Sequence, residues 1–134
     1  MIQPLKIPES EYTPLIEFDP VNSTLKISGV SRPENVIEFY NPLLSWLLQY
    51  IELIKSKKII TKSLVVNFHL SYFNTSSAKY LTDFLTKIKK LQAWGIDLTI
   101  NWYYSQNDDN ALEDGEDLSF STDMVFNYIA IRPT

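Results

Sequence analysis

The chain has no cysteine, a single histidine and only three glycines in 134 residues. Each shortage excludes a class of chemistry. Without cysteine there is no disulfide, no thiolate nucleophile and no thiolate metal site, and a reducing, cytoplasmic location is the expectation. One histidine, His69, leaves nothing from which to group metal ligands, so no metal and no cofactor is expected. The glycines stand far apart, at 29, 95 and 115. No Gly-rich phosphate loop can be built from them, which disfavours nucleotide-hydrolysing and dinucleotide enzymes. Long apolar runs are also lacking. Leu43 to Ile54 is interrupted by Ser45, Gln49 and Glu52, and Met1 to Lys6 has no apolar signal-like stretch, so neither a membrane span nor an export signal is expected. Nor is there an excess of positive charge: the net charge of −4 argues against a nucleic-acid partner.

What is present is an ordinary globular composition, 45% hydrophobic, of a length that points to a single domain over 1–134. Met1 to Tyr12, polar with two prolines, reads as an extended arm. Thr13–Phe18 and Thr24–Ser28 alternate as strands around the five-residue turn Asp19–Ser23, a hairpin that Gly29 is expected to end. A helical stripe follows in Leu43, Leu44, Leu47, Leu48, Ile51 and Ile54. Two starts fit it: Asn41 as cap with Pro42 in the first turn, or a start near Asn35 with Pro42 inside. Ser63–Leu70 is the strongest strand, with Leu64, Val66, Phe68 and Leu70 on one face and Val65, Asn67 and His69 on the other; its place between helices predicts a central position. A second helix, capped by Asn74 or Thr75, is predicted to run to about Ala93, with Gly95 as its stop. Asp97–Tyr104 and Met124–Ile131 are the remaining strands, around a short exposed helix at Asn110–Asp114, and Arg132-Pro133-Thr134 closes the chain with no fused output domain expected. The fold class is α/β: a mixed sheet of about five strands in the order ββαβαβ(α)β, with an N-terminal antiparallel hairpin.

Several residues invite a functional reading and have a plainer one. The acidic run Asp108-Asp109-Asn110 and Glu113-Asp114-Gly115-Glu116-Asp117 lacks the spacing of a calcium loop and reads as a solvated face. The lysines at 55, 57, 58, 62, 87, 89 and 90 lie near helix ends, where cations complement the macrodipole. Trp102-Tyr103-Tyr104 and Tyr72-Phe73 could stack bases but read as strand and core aromatics. His69, a few residues before a hydroxyl cluster, raises a small Ser/Thr–His hydrolase as an alternative; a Gly-x-Ser-x-Gly elbow is missing, and a strand histidine without catalytic duty is the stronger reading.

The hydroxyl cluster is Asn74-Thr75-Ser76-Ser77, at the junction of the strongest strand and the second helix. Asn, Thr and Ser all satisfy the unpaired N–H groups of a first helical turn, so a plain cap accounts for one of them. Three hydroxyls in succession exceed what a cap needs. A phosphate here would meet free N–H groups and the positive end of the helix dipole, and Lys79, one turn on from Thr75, could pair with it.

Two segments then resemble a known family. Ser31-Arg32-Pro33-Glu34-Asn35, followed by Phe39-Tyr40 and Trp46-Leu47, and Tyr72-Phe73-Asn74-Thr75-Ser76-Ser77-Ala78-Lys79, with the late Glu113–Asp117, are similar to the SiaC family of bacterial regulatory phosphoproteins. The resemblance spans nearly the whole chain and implies a fold like that of STAS domains, the anti-sigma-factor antagonists. It implies a non-enzymatic, partner-switching protein. The phosphoacceptor would be Thr75, with Ser76 and Ser77 as candidate secondary sites and Asn74 and Lys79 as support. A dedicated Ser/Thr kinase and a PP2C-like phosphatase would set its state, and the unphosphorylated form would bind and activate a GGDEF diguanylate cyclase, raising cyclic di-GMP and favouring biofilm or aggregation. A constitutive interaction scaffold without a switch is the other alternative.

Overall fold

The computed structural model describes residues 2–132 and lays six strands side by side in chain order. The strands are β1 (Leu5–Ile7), β2 (Leu15–Asp19), β3 (Thr24–Ser31), β4 (Ser63–Phe73), β5 (Asp97–Ser105) and β6 (Asn127–Ile131). The helices are α1 (Val36–Lys55), α2 (Thr75–Lys89) and α3 (Asp109–Thr122), with a 3-10 turn over Lys90–Trp94. β1–β2 and β2–β3 pair antiparallel; β3 to β6 are parallel. Each parallel step needs a crossover, and the three helices supply them. The chain is therefore mixed α/β as expected, with one strand more than anticipated.

Alternation sets the two faces. Leu25 and Ile27, Leu64, Val66, Phe68 and Leu70, and Ile100 and Trp102 are buried on one side. All three helices lie on that side: Phe18 packs on Trp46 of α1 and Phe84 of α2, and Gly115 of α3 rests on Trp102. The opposite side carries no helix among the described residues. Lys26, Asn67, Asn101 and Asn127 stand in one row across it, with amide–amide hydrogen bonds from Asn101 to Asn67 and from Asn127 to Asn101.

The expected boundaries shift for identifiable reasons. The N-terminal arm contains β1, which pairs Leu5 with Phe18 and makes the outer edge; three residues between Pro4 and Pro8 are too few to show a period. Gly29 does not end its strand. At φ +115° it stands where the register slips: Gly29 pairs with Leu70 and Val30 with Tyr72, so Ser71 of β4 is passed over, and β3 continues to Ser31. Of the two starts for α1 the structure takes Asn35, whose side chain accepts the Glu38 N–H at 3.0 Å, and Pro42 sits inside the helix, where it leaves the Glu38 carbonyl without its usual donor. α2 ends at Lys89, short of Ala93; the 3-10 turn carries the chain to Gly95, left-handed at φ +80°. The last strand begins at Asn127 rather than Met124, while Met124 and Phe126 are buried ahead of it. Pro133 and Thr134 fall outside the described residues.

The largest revision is α3, a helix of 14 residues rather than a short exposed one. Its buried stripe is Ala111, Gly115, Leu118 and Thr122, mostly small residues hidden in an acidic sequence. Leu118 is the only large apolar side chain among them, whereas α1 buries Tyr40, Leu43, Trp46, Leu47, Tyr50, Ile51 and Ile54. At roughly 1.5–3 kcal/mol per large apolar side chain removed from water, α3 is docked by a small fraction of what fixes α1.

Candidate functional site

β4 runs straight into α2, and Asn74 sits between them as the cap. Its side chain accepts the Ser77 N–H at 2.9 Å, and its own N–H donates to the Ser31 carbonyl at 3.0 Å. Thr75 and Ser76, the first two helical residues, are exposed. Among the described residues their amides meet no acceptor, as expected for the first turn of a helix. The Thr75 hydroxyl is therefore accessible, beside free N–H donors at the positive end of α2.

Ser77 is different in kind. It is wholly buried, and its hydroxyl donates to the Ser31 carbonyl at 3.0 Å while accepting from the Ser31 hydroxyl at 2.8 Å. The Ser31 hydroxyl has one proton, so in its 2.6 Å contact with Tyr40 it is the tyrosine that donates. A chain of hydroxyls thus runs from Tyr40 through Ser31 and Ser77 to a backbone carbonyl. Burial pushes the Tyr40 phenol above its usual range, opposed by the Ser31 and Ser77 hydroxyls, so Tyr40 stays a neutral donor. This network joins the Ser31–Asn35 and Asn74–Ser77 segments, which are far apart in sequence and adjacent in the sheet. In the folded chain the Ser77 hydroxyl is not open to an outside reagent.

Thr75 also lines a groove of about 360 Å³ between α2 and α3. Thr75, Ala78 and Thr82 form one wall, and Asp114, Asp117 and Leu118 face them from α3. Burial, then the charges of Asp117, Asp108 and Glu113, raise the Asp114 carboxyl above the usual carboxylate range. Sequence reasoning took these acids as a plain solvated face; only the three-dimensional course of α3 sets two of them opposite Thr75. Lys79 is exposed on α2 outside this groove and forms no ion pair among the described residues.

His69 lies on the helix-free face of β4, in a shallow pocket with Lys26, Asn67 and Tyr103, and has no hydrogen bond to Thr75, Ser76 or Ser77 among the described residues. That placement removes the Ser/Thr–His hydrolase, since the base and the hydroxyls belong to opposite sides of the sheet. The described residues hold no group of three or more His, Asp or Glu suited to a metal ion. No helix among them is long and apolar enough to cross a membrane. Trp102 is fully buried, a core residue rather than a stacking platform.

A family model of SiaC family regulatory phosphoproteins matches residues 7–131. The chain belongs to the SiaC family. It is accordingly a bacterial-type regulatory phosphoprotein and not an enzyme. An uncharacterised protein of Pseudomonas aeruginosa strain UCBPP-PA14 is 27% identical over 124 residues, 92% of each chain. Apo-SiaC from Pseudomonas aeruginosa has the same fold, with a TM-score of 0.79 and 26% identity over 96% of this chain and 98% of that one. A chain from the crystal structure of the Pseudomonas aeruginosa diguanylate cyclase SiaD in complex with its activator SiaC superposes with a TM-score of 0.83, at 25% identity, covering 95% of this chain and 99% of that one.

Proposed function

We propose that this SiaC-family chain is a cytoplasmic phosphorylation switch acting as one regulatory domain over 1–134, with Thr75 as the acceptor. A Ser/Thr kinase transfers the γ-phosphoryl group of ATP to the Thr75 hydroxyl, releasing ADP, and a PP2C-like phosphatase hydrolyses the ester. The unphosphorylated form binds and activates a GGDEF diguanylate cyclase, and so raises cyclic di-GMP. The observation that carries the reading is the contrast between the hydroxyls. Thr75 is exposed beside unpaired first-turn amides, whereas Ser77 is buried and fully engaged. Ser76, also exposed, is the secondary acceptor. Asn74 holds the turn, and Lys79 supplies a nearby cation one helical turn along. A phosphate adds about −1.5 to −2 charges at neutral pH, enough to reverse the match with a partner's surface.

Support for the cyclase as output comes from SiaC, described as the activator of SiaD. The test is to incubate the protein with its kinase and ATP and to locate phosphate by mass spectrometry. Label on Thr75 that disappears in Thr75→Ala, together with loss of cyclase binding on phosphorylation, is the expected result. Undiminished labelling of Thr75→Ala would refute the acceptor, and equal cyclase binding by both forms would point to a scaffold without a switch.

A further inference from the structure

We propose that α3 reads the charge on Thr75, with Asp114 and Asp117 as its sensing residues: a phosphate on Thr75 repels them and loosens α3 from the sheet. The inference rests on Thr75 being the acceptor and adds the element that responds.

Three observations converge on α3. First, Thr75 and the two carboxylates line opposite walls of one groove, so a phosphate on the Thr75 oxygen is delivered into their field. The free amides of Thr75 and Ser76 hold that phosphate at the mouth of the groove rather than letting it swing into solvent. Lys79, the nearest cation along α2, lies outside the groove and does not stand between phosphate and carboxylates.

Second, α3 has no cation of its own. The segment from Asp108 to Asp123 carries Asp108, Asp109, Glu113, Asp114, Glu116, Asp117 and Asp123 and no lysine or arginine. The one cation that reaches it among the described residues, Lys89 of α2, lies at the far, C-terminal end, 3.7 Å from Asp123, so negative charge added near Asp114 and Asp117 meets like charge.

Third, α3 is the least firmly docked helix. One large side chain, Leu118, anchors it, and the α2 residues that line the groove with it, Ala78 and Thr82, are small. Its firmest polar attachment is the Trp102 indole N–H, which donates to the Ala111 carbonyl at 2.9 Å. A helix held this lightly is where local opening is cheapest.

The Trp102 indole is a direct reporter of α3, and Trp46 and Trp94 serve as internal controls. The experiment compares the unmodified protein, the kinase-phosphorylated protein and Thr75→Glu by amide hydrogen exchange and by the three indole N–H resonances. The Glu variant places charge in the groove whether or not a kinase modifies Thr75, so failure of the acceptor assignment is told apart from failure of this coupling. Expected is exchange in Leu112–Ser121 faster by on the order of tenfold, a shifted Trp102 indole signal, and unchanged Trp46 and Trp94 signals. Asp114→Asn with Asp117→Asn in the Thr75→Glu background should restore the slow exchange, as should molar salt. Unchanged α3 exchange in both Thr75→Glu and the phosphoprotein overturns the proposal. So does loosening that the two Asn substitutions leave in place, since the carboxylates would then not be the sensors.

Discussion

Gly115→Ala sets two known effects against each other, and the structure decides between them. In an isolated helix the change is favourable by about 1 kcal/mol, because alanine loses less backbone entropy than glycine. In α3 the new methyl would sit 2.5 Å from Nε1 and 2.6 Å from Cδ1 and Cε2 of Trp102. Those are atoms of a rigid ring rather than the tip of a flexible chain. The ring cannot give, since it is fully buried and packed against Phe68, Phe73 and Phe126. Overpacking of this kind costs about 1–3 kcal/mol or somewhat more, and pushing α3 outward also strains the Trp102–Ala111 hydrogen bond, worth about 1 kcal/mol. The net expectation is destabilisation of roughly 1–3 kcal/mol, a fall in Tm of about 3–10 °C for a chain of this length. Thermal and urea denaturation measure it. A double-mutant cycle with Trp102→Phe, which removes Nε1, should show coupling that relieves part of the cost. An unchanged or raised Tm for Gly115→Ala would refute the reasoning, for propensity would then have outweighed packing and α3 would not be seated on the indole.

Two further outcomes follow from the site. Ser77→Ala removes the bond to the Ser31 carbonyl and leaves the Ser31 hydroxyl without its buried acceptor; a loss of about 1–3 kcal/mol in urea unfolding is expected, with Thr75 still labelled by the kinase, whereas Ser76→Ala should leave stability within about 0.5 kcal/mol. Asp114→Asn should raise stability at neutral pH, because a carboxyl whose folded pKa is raised costs stability when ionised; the gain is complete above that raised value and fades as pH falls towards the ordinary carboxylate value of the unfolded chain. Solvent screening of this partly exposed group keeps the effect below about 1 kcal/mol, so paired denaturation curves at pH 7 and pH 3 are the measurement, and an equal effect at both would contradict the assignment.

Much of the fold is legible in the sequence. Ser63–Leu70 stands out because large apolar residues at every second position, Leu64, Val66, Phe68 and Leu70, fit a strand with one buried face. A cap at Asn74 or Thr75 followed from the place of both between a strand and a helical stripe, and the hydrogen bond from the Ser77 N–H selects Asn74. α3 was largely hidden because Ala111, Gly115 and Thr122 are small or polar, so their burial leaves no apolar period in the sequence; the indole they pack against comes from another strand. The split among Thr75, Ser76 and Ser77 was equally out of reach. Three adjacent hydroxyls look alike in a sequence, and only the approach of Ser31 and Tyr40, brought by parallel pairing of β3 with β4, turns one of them inward.

The identity of spatial and chain order in the sheet has a bearing on how the protein is made. Every strand after the first docks on the one synthesised just before it, and each crossover helix closes over an edge that already exists. No strand has to insert between two earlier ones. A nascent chain emerging from the ribosome can therefore assemble by accretion, one β–α unit at a time, with a single growing edge exposed to unwanted pairing at any moment. Late in that sequence comes α3, the most lightly anchored helix, so the acidic wall opposite Thr75 is added only after the hydroxyl itself is in place.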